Sequence, residues 1–175
     1  SLSGGIEKVS WQSLVAENLW LAPNVPVFHS NKSFDFGAGI RAKLGNQVFT
    51  QAGLSFSSIK NLYSFVNLPQ DQSKFAVVYD EGLVKRSNIY ASVSYVQSQV
   101  ARFLVRGDYF KYSAGDLTEV FHRPTYRFTV NGSFDLYDKV VLSADIIAQG
   151  GMKAYDANAD QVIKLKNAFD LNAKG

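Results

Sequence analysis

Nucleophilic, acid–base and metal chemistry each need a few side chains of the right type within reach of one another, and this chain of 175 residues offers few. The only histidines, His29 and His122, stand far apart in loop-like stretches, and with no cysteine a zinc site would have to recruit carboxylates. Asp156, Asn158 and Asp160 open like a calcium loop, with oxygen ligands at alternate positions. The pattern then breaks, because Gln161 and Asn167 stand where an EF-hand places its glycine and its bidentate glutamate. A solvated loop is the better account of that triplet. Asp116 and Glu119 are spaced to work as paired carboxylates, yet polar loops carry such residues without any substrate. No G-x-S-x-G, phosphate loop or dinucleotide fingerprint occurs. The expectation is a non-enzymatic chain with no catalytic residues, no cofactor and no metal.

Composition agrees with that poverty and excludes other classes. The 18 Lys and Arg are interspersed with 15 Asp and Glu, so no basic stripe suited to a phosphate backbone forms and nucleic acid is not an expected partner. Zero Cys removes a disulfide framework while leaving the compartment open. No basic leader with an apolar stretch is seen, nor a run of about 18 apolar residues for a membrane helix. Strand-built membrane proteins need no such run. Ser1 and Leu2 read as a cloning remnant, and the chain stops at Gly175 inside a strand-like pattern, so an excised piece of a longer protein is expected.

The elements that would have to position any site are strands. Aromatics make up 14% of the chain, which favours sheet over helix. Phe34, Phe36, Ala38, Ile40, Ala42 and Leu44 share one parity, while Asp35, Gly37, Gly39, Arg41 and Lys43 share the other. Successive side chains on a strand point to opposite faces, so this run makes a ribbon with one apolar and one polar side. Similar runs predict strands over Phe34 to Leu44, Val48 to Ser58, Phe75 to Tyr95, Ala101 to Ser113, Thr125 to Leu136, Val140 to Gln149 and Gln161 to Leu171. The fold expected is all-β: an antiparallel up-and-down meander of about seven long amphipathic strands over residues 34–175.

Leu44 and Val48 share a parity, as do Leu136 and Val140, so each pair can face across a three-residue hairpin loop. A third tight turn is expected near Ser98 to Val100. The other connections, Ile59 to Lys74, Ala114 to Pro124 and Gly150 to Asp160, read as long and polar. Tight turns at one end and long loops at the other are the layout of an outer-membrane barrel. Phe75 to Tyr95 keeps one parity past Asp80-Glu81-Gly82, a sequence that suits a turn or a bulge, and a single bent strand is the preferred reading. Residues 1–33 differ: Trp11, Leu14, Val15 and Leu19 have helical spacing ended by Pro23 and Pro26, which fits a short helix or an irregular loop.

The polar parity gathers charges of both signs, including Arg41, Lys43, Arg102, Arg106, Asp108, Arg127, Asp135 and Asp145. An ordinary solvated face and a barrel lumen both produce this alternation, and periodicity does not separate them.

Several stretches taken in succession resemble the C-terminal barrel portion of TonB-dependent, SusC-like or related outer-membrane receptors of Gram-negative bacteria. They are Asn18 to Pro23, Phe36 to Leu44, Phe75 to Asp80, Gly107 to Tyr112, His122-Arg123-Pro124, Leu136 to Lys139, Ala144-Asp145-Ile146, and Ile163-Lys164-Leu165 followed by Phe169 to Asn172. The resemblance implies an outer-membrane location, a barrel of many more strands, a plug domain, and coupling to TonB for uptake of a nutrient. It carries over no catalytic or ligand residue. No plug, TonB-box-like segment or terminal aromatic assembly strand is visible in the sequence.

On this reading Phe34, Phe36, Ile40, Leu44, Phe128, Val130 and Phe134 face lipid in the parent barrel. In water such a fragment would have to cover that face by closing on itself or by pairing with a second copy. The alternative is a soluble secreted or periplasmic module, lipocalin-like or carbohydrate-binding, with Trp11, Trp20 or loop tyrosines stacking a ligand.

Overall fold

The computed structural model describes residues 2–7, 31–68, 71, 74–97, 100–136, 140–156 and 159–174. The expected helix over Trp11 to Leu19, both tryptophans, His29 and Asn158 lie outside these residues.

The chain is an antiparallel meander. Strands β1 (Leu2–Glu7), β2 (Asn31–Leu44), β3 (Val48–Asn67), β4 (Phe75–Gln97), β5 (Ala101–Ser113), β6 (Tyr126–Leu136) and β7 (Val140–Gly150) pair in chain order, and β10 (Ala168–Lys174) adds beside β7. A separate ribbon joins β8 (Lys153–Asp156) to β9 (Gln161–Lys164). The main sheet is open, with β1 and β10 as its edges, so the closure on itself considered above is not what forms. Among the described residues there is no helix long and apolar enough to cross a membrane, which says nothing about strands.

Register follows the parity of the sequence. Leu44 faces Val48, Gln97 faces Ala101 and Leu136 faces Val140, each across three residues. Directly opposed residues share a face, so the alternation of each strand is locked to that of its neighbours. One row runs through Ala42, Thr50, Val93, Val105, Val130, Ile146 and Leu171. The adjacent row on the other face begins Arg41, Gln51, Ser92, Arg106 and Thr129. One side of the sheet is thus apolar and the other polar over most of its width, the polar row passing through Ile147 on β7 before Asp170.

Three expectations change. β1 forms inside the stretch expected to be irregular or helical. The connection expected over Ile59 to Lys74 is strand as far as Asn67, because Leu62, Tyr63, Phe65 and Val66 keep the ladder going against Phe75 to Asp80. The strand expected over Gln161 to Leu171 is two: β9 pairs with β8, and only β10 reaches β7. Periodicity saw the extended conformation there but not the change of partner.

Phe75 to Tyr95 is a single strand within β4, whose 23 residues span about 75 Å. The Asp80-Glu81-Gly82 site is a bulge: Lys60 pairs with Leu83 and Leu62 with Asp80, so Asn61 alone faces Glu81 and Gly82. Asn61 takes a φ of 59°, in the left-handed region that asparagine tolerates, and beyond it the ladder resumes.

Candidate functional site

On the polar face the side chains bind one another across strands. Arg106 grips Asp108 in a two-pronged contact, Nε to Oδ2 at 2.8 Å and Nη2 to Oδ1 at 2.7 Å. Asn88 donates to Asp108 Oδ1 at 3.3 Å, and the Arg106 guanidinium lies 4.3 Å from the Tyr90 ring centroid. Gln51 donates to the Tyr90 hydroxyl at 3.0 Å, and Arg41 donates to Gln51 at 3.4 Å. The chain of contacts crosses β2 to β5. Tyr90 lies flat because Gly39 and Gly53 are opposed beneath it: a Cβ at Gly53 would sit 2.7 Å from the Tyr90 hydroxyl.

At the loop end this face is capped. Residues 114–124 fold against Ile59, Leu62 and Val84, contributing the buried Val120, with Tyr112 and Ala114 packed alongside. Asp80 anchors the cap. Its side chain, only 2% exposed, accepts backbone N–H groups from Gly82 at 3.1 Å, Gly115 at 2.9 Å and Asp116 at 2.8 Å. Gly82 and Gly115 let the two backbones meet: a Cβ on Gly115 would lie 2.6 Å from the Gly82 carbonyl carbon.

Beside the cap lies a cavity of about 230 Å³ lined by Arg86, Arg123, Arg127, Tyr112 and Phe110 among others. Arg86 Nη2 donates to Ser57 at 2.8 Å and stands 3.5 Å from Asp35, which also accepts from Ser57 and Ser33. Arg127 donates to Gln149, and Arg123 lies 5.6 Å from the Tyr63 ring centroid.

The residues singled out for chemistry are dispersed. Glu119 pairs with Lys153 of β8, while Asp116 sits on the β4 bulge, so each carboxylate has its own separate structural setting. His122 has a φ of 57° and donates its backbone N–H to the Lys153 carbonyl at 2.8 Å. Burial and the neighbouring Arg123 push its imidazole below the usual histidine range. Asp156 and Asp160 belong to the turn of the β8–β9 ribbon, where Asp156 faces Gln161 and Asp160 accepts the Tyr155 hydroxyl. Among the described residues no group of three or more His, Cys, Asp or Glu gathers for a metal ion.

Two features escaped sequence reasoning. Asp80 was legible as part of a turn or bulge, but not as the acceptor for a loop more than thirty residues away. Arg86 and Arg127 share the polar parity, yet Arg123 joins them only because residues 114–124 fold back.

The apolar face has the opposite character. Phe34, Phe36, Ile40, Leu44, Phe128, Val130 and Phe134 all lie on it, and Ile40 is 77% exposed. On β5 Phe103 and Tyr109 enclose Val105 and Gly107, and on β6 Tyr126 and Phe128 stand on one side of Val130 and Gly132 with Phe134 on the other. No family model and no curated protein matches the chain.

Proposed function

We propose that the chain is part of the wall of an outer-membrane β-barrel, in a TonB-dependent, SusC-like or related receptor of Gram-negative bacteria, and that it serves nutrient uptake without catalysis. The observation that carries the reading is the apolar belt across the main sheet, which no other described residue covers. Isolated exposed apolar residues are ordinary, but a contiguous face of this extent in water invites aggregation. On β2 the belt from Phe34 to Leu44 covers about 33 Å of chain, which tilted by about 45° stands about 23 Å tall, close to the roughly 25 Å apolar band of outer-membrane barrels. The aromatics of β6, Tyr126 and Phe128 toward one end and Phe134 toward the other, stand near the two edges of the belt as interfacial girdles do. The polar network then belongs to the lumen, and the cap and the β8–β9 ribbon to the outer rim. Plug domain, TonB and the remaining barrel strands are the partners this reading implies.

The absence of cysteine permits a direct test. Single cysteines at Ile40, Val105, Arg41 and Thr129 are spin-labelled after reconstitution in phosphatidylcholine vesicles. Labels at Ile40 and Val105 should meet oxygen, which concentrates in lipid, and labels at Arg41 and Thr129 a water-soluble nickel chelate. Equal nickel access on both faces, from a chain that is monodisperse without detergent, would refute the barrel and favour the soluble binding module.

A further inference from the structure

The cavity beside the cap has an unbalanced lining. Three of its residues are arginines and none is Asp or Glu. Arg106 on β5 shows what a satisfied guanidinium looks like on the same face: both prongs rest on Asp108. The cavity arginines have less. Arg127 donates to the neutral Gln149 and acts only through its field on Asp108, which stands opposite it and is already held by Arg106; Arg123 rests on the Tyr63 ring, and Arg86 donates to Ser57 and reaches Asp35 at 3.5 Å. Arg86 Nε is buried with no hydrogen-bond partner, and Asn31 Oδ1, another lining group, is in the same condition. Burial pushes the Tyr112 hydroxyl above its usual range, and the fields of Arg86, Arg123 and Arg127 oppose that rise. Three like charges lining one cavity repel, and a buried N–H left unpaired costs free energy, so the arrangement is complementary to an anion.

We infer that this cavity binds a small organic carboxylate. The acid group is held by Arg86, Arg123 and Arg127, since planar guanidinium matches carboxylate geometry and forms charge-assisted bonds. The remaining walls decide between an organic acid and a bare inorganic ion: Phe110, Pro124, Ile59 and Leu62 would waste their apolar surface on the latter. About 230 Å³ is below the usual range for drug-sized ligands, so the occupant is a small acid or the acid end of a larger solute. The inference rests on the receptor reading for its access route, because only then does the polar face line a lumen.

Calorimetric titration of the whole chain in detergent micelles, with sodium benzoate as probe, tests it. Benzoate should bind saturably, while benzamide, the same shape without charge, and inorganic phosphate, charge without an apolar body, should bind roughly tenfold more weakly or worse. Arg123→Gln, on the loop, and Arg86→Lys, which keeps the charge but loses Nε, should each weaken benzoate by about tenfold. Equal binding of benzamide, equal or tighter binding of phosphate, or no loss in either variant would overturn the proposal. The wild-type comparisons need no variant to fold. Micelle titration does not depend on which face meets lipid, so a failure here with the spin-label pattern intact removes the carboxylate site alone.

Discussion

The two ends of the β3–β4 ribbon carry similar side chains in opposite environments. Toward the tight turns, Leu54 and Ile89 face each other on the apolar side, and Ile89 is 63% exposed. Toward the loops, Ile59 faces Val84 on the other side, Val84 is fully buried, and Leu62 beyond the bulge joins the same cluster. Strand propensity does not distinguish these pairs; cover does. The loop end brings its own cover from residues 114–124, pinned by Asp80, and so builds a core that protein alone can satisfy. The belt has no such cover among the described residues, and lipid is the solvent that would make it stable. One ribbon thus carries both arrangements, and on the proposed reading it stands partly in a membrane and partly in water.

The sharpest way to break the comparison is to place a charge on each face of one strand. Val130→Arg on the apolar face should cost about 2–4 kcal/mol of folding free energy in bilayers, while Thr129→Arg, its neighbour on the polar face, should cost under about 1 kcal/mol. Equilibrium folding into vesicles at graded urea measures both, and equal costs would erase the distinction between the faces.

Next in size, Asp80→Ala removes the acceptor of three backbone N–H groups and should destabilise the cap by about 3 kcal/mol. Amide hydrogen exchange should rise through residues 114–124 while the β5–β6 ladder keeps its protection. Asp80→Asn should rescue only partly, because its amide nitrogen opposes the Gly115 N–H in one orientation and the Gly82 and Asp116 N–H groups in the other. Uniform loss across the sheet would show that cap and belt are one cooperative unit.

Smaller still, Tyr90→Ala uncovers Gly39 and Gly53 and removes the Gln51 and Arg106 contacts, for an expected loss of about 1–2 kcal/mol. Tyr90→Phe keeps the ring and should lose about 0.5–1 kcal/mol with the hydroxyl bond. Chemical denaturation in micelles distinguishes them, and equal losses would mean that the hydroxyl rather than the ring holds the polar face at this point.

Much of the sheet was legible before any coordinates. Leu44 against Val48 and Leu136 against Val140 follow from shared parity, because a strand repeats every two residues and a slip by one would turn an entire apolar set onto the polar side. The long bent β4 was legible for the same reason. The extension of β3 to Asn67 was not, since its polar residues hide a strand that projects past its β2 neighbour, and the split of β9 from β10 needed the identity of each partner. Of the candidate site, the charges of the polar face could be read, but not which of them are neutralised. Arg106 with Asp108 is a local pair two residues apart, whereas Arg86, Arg123 and Arg127 come from two strands and a loop.

The sequence by itself determined a two-faced antiparallel meander, because alternation and hairpin spacing act over a few residues and need no distant partner. Tertiary structure alone decided that the sheet stays open, that Asp80 draws a remote loop onto the polar face, and that three arginines converge beside it. Those outcomes depend on which backbone groups remain unpaired after the strands have formed, and on where a loop of that length can reach to pair them.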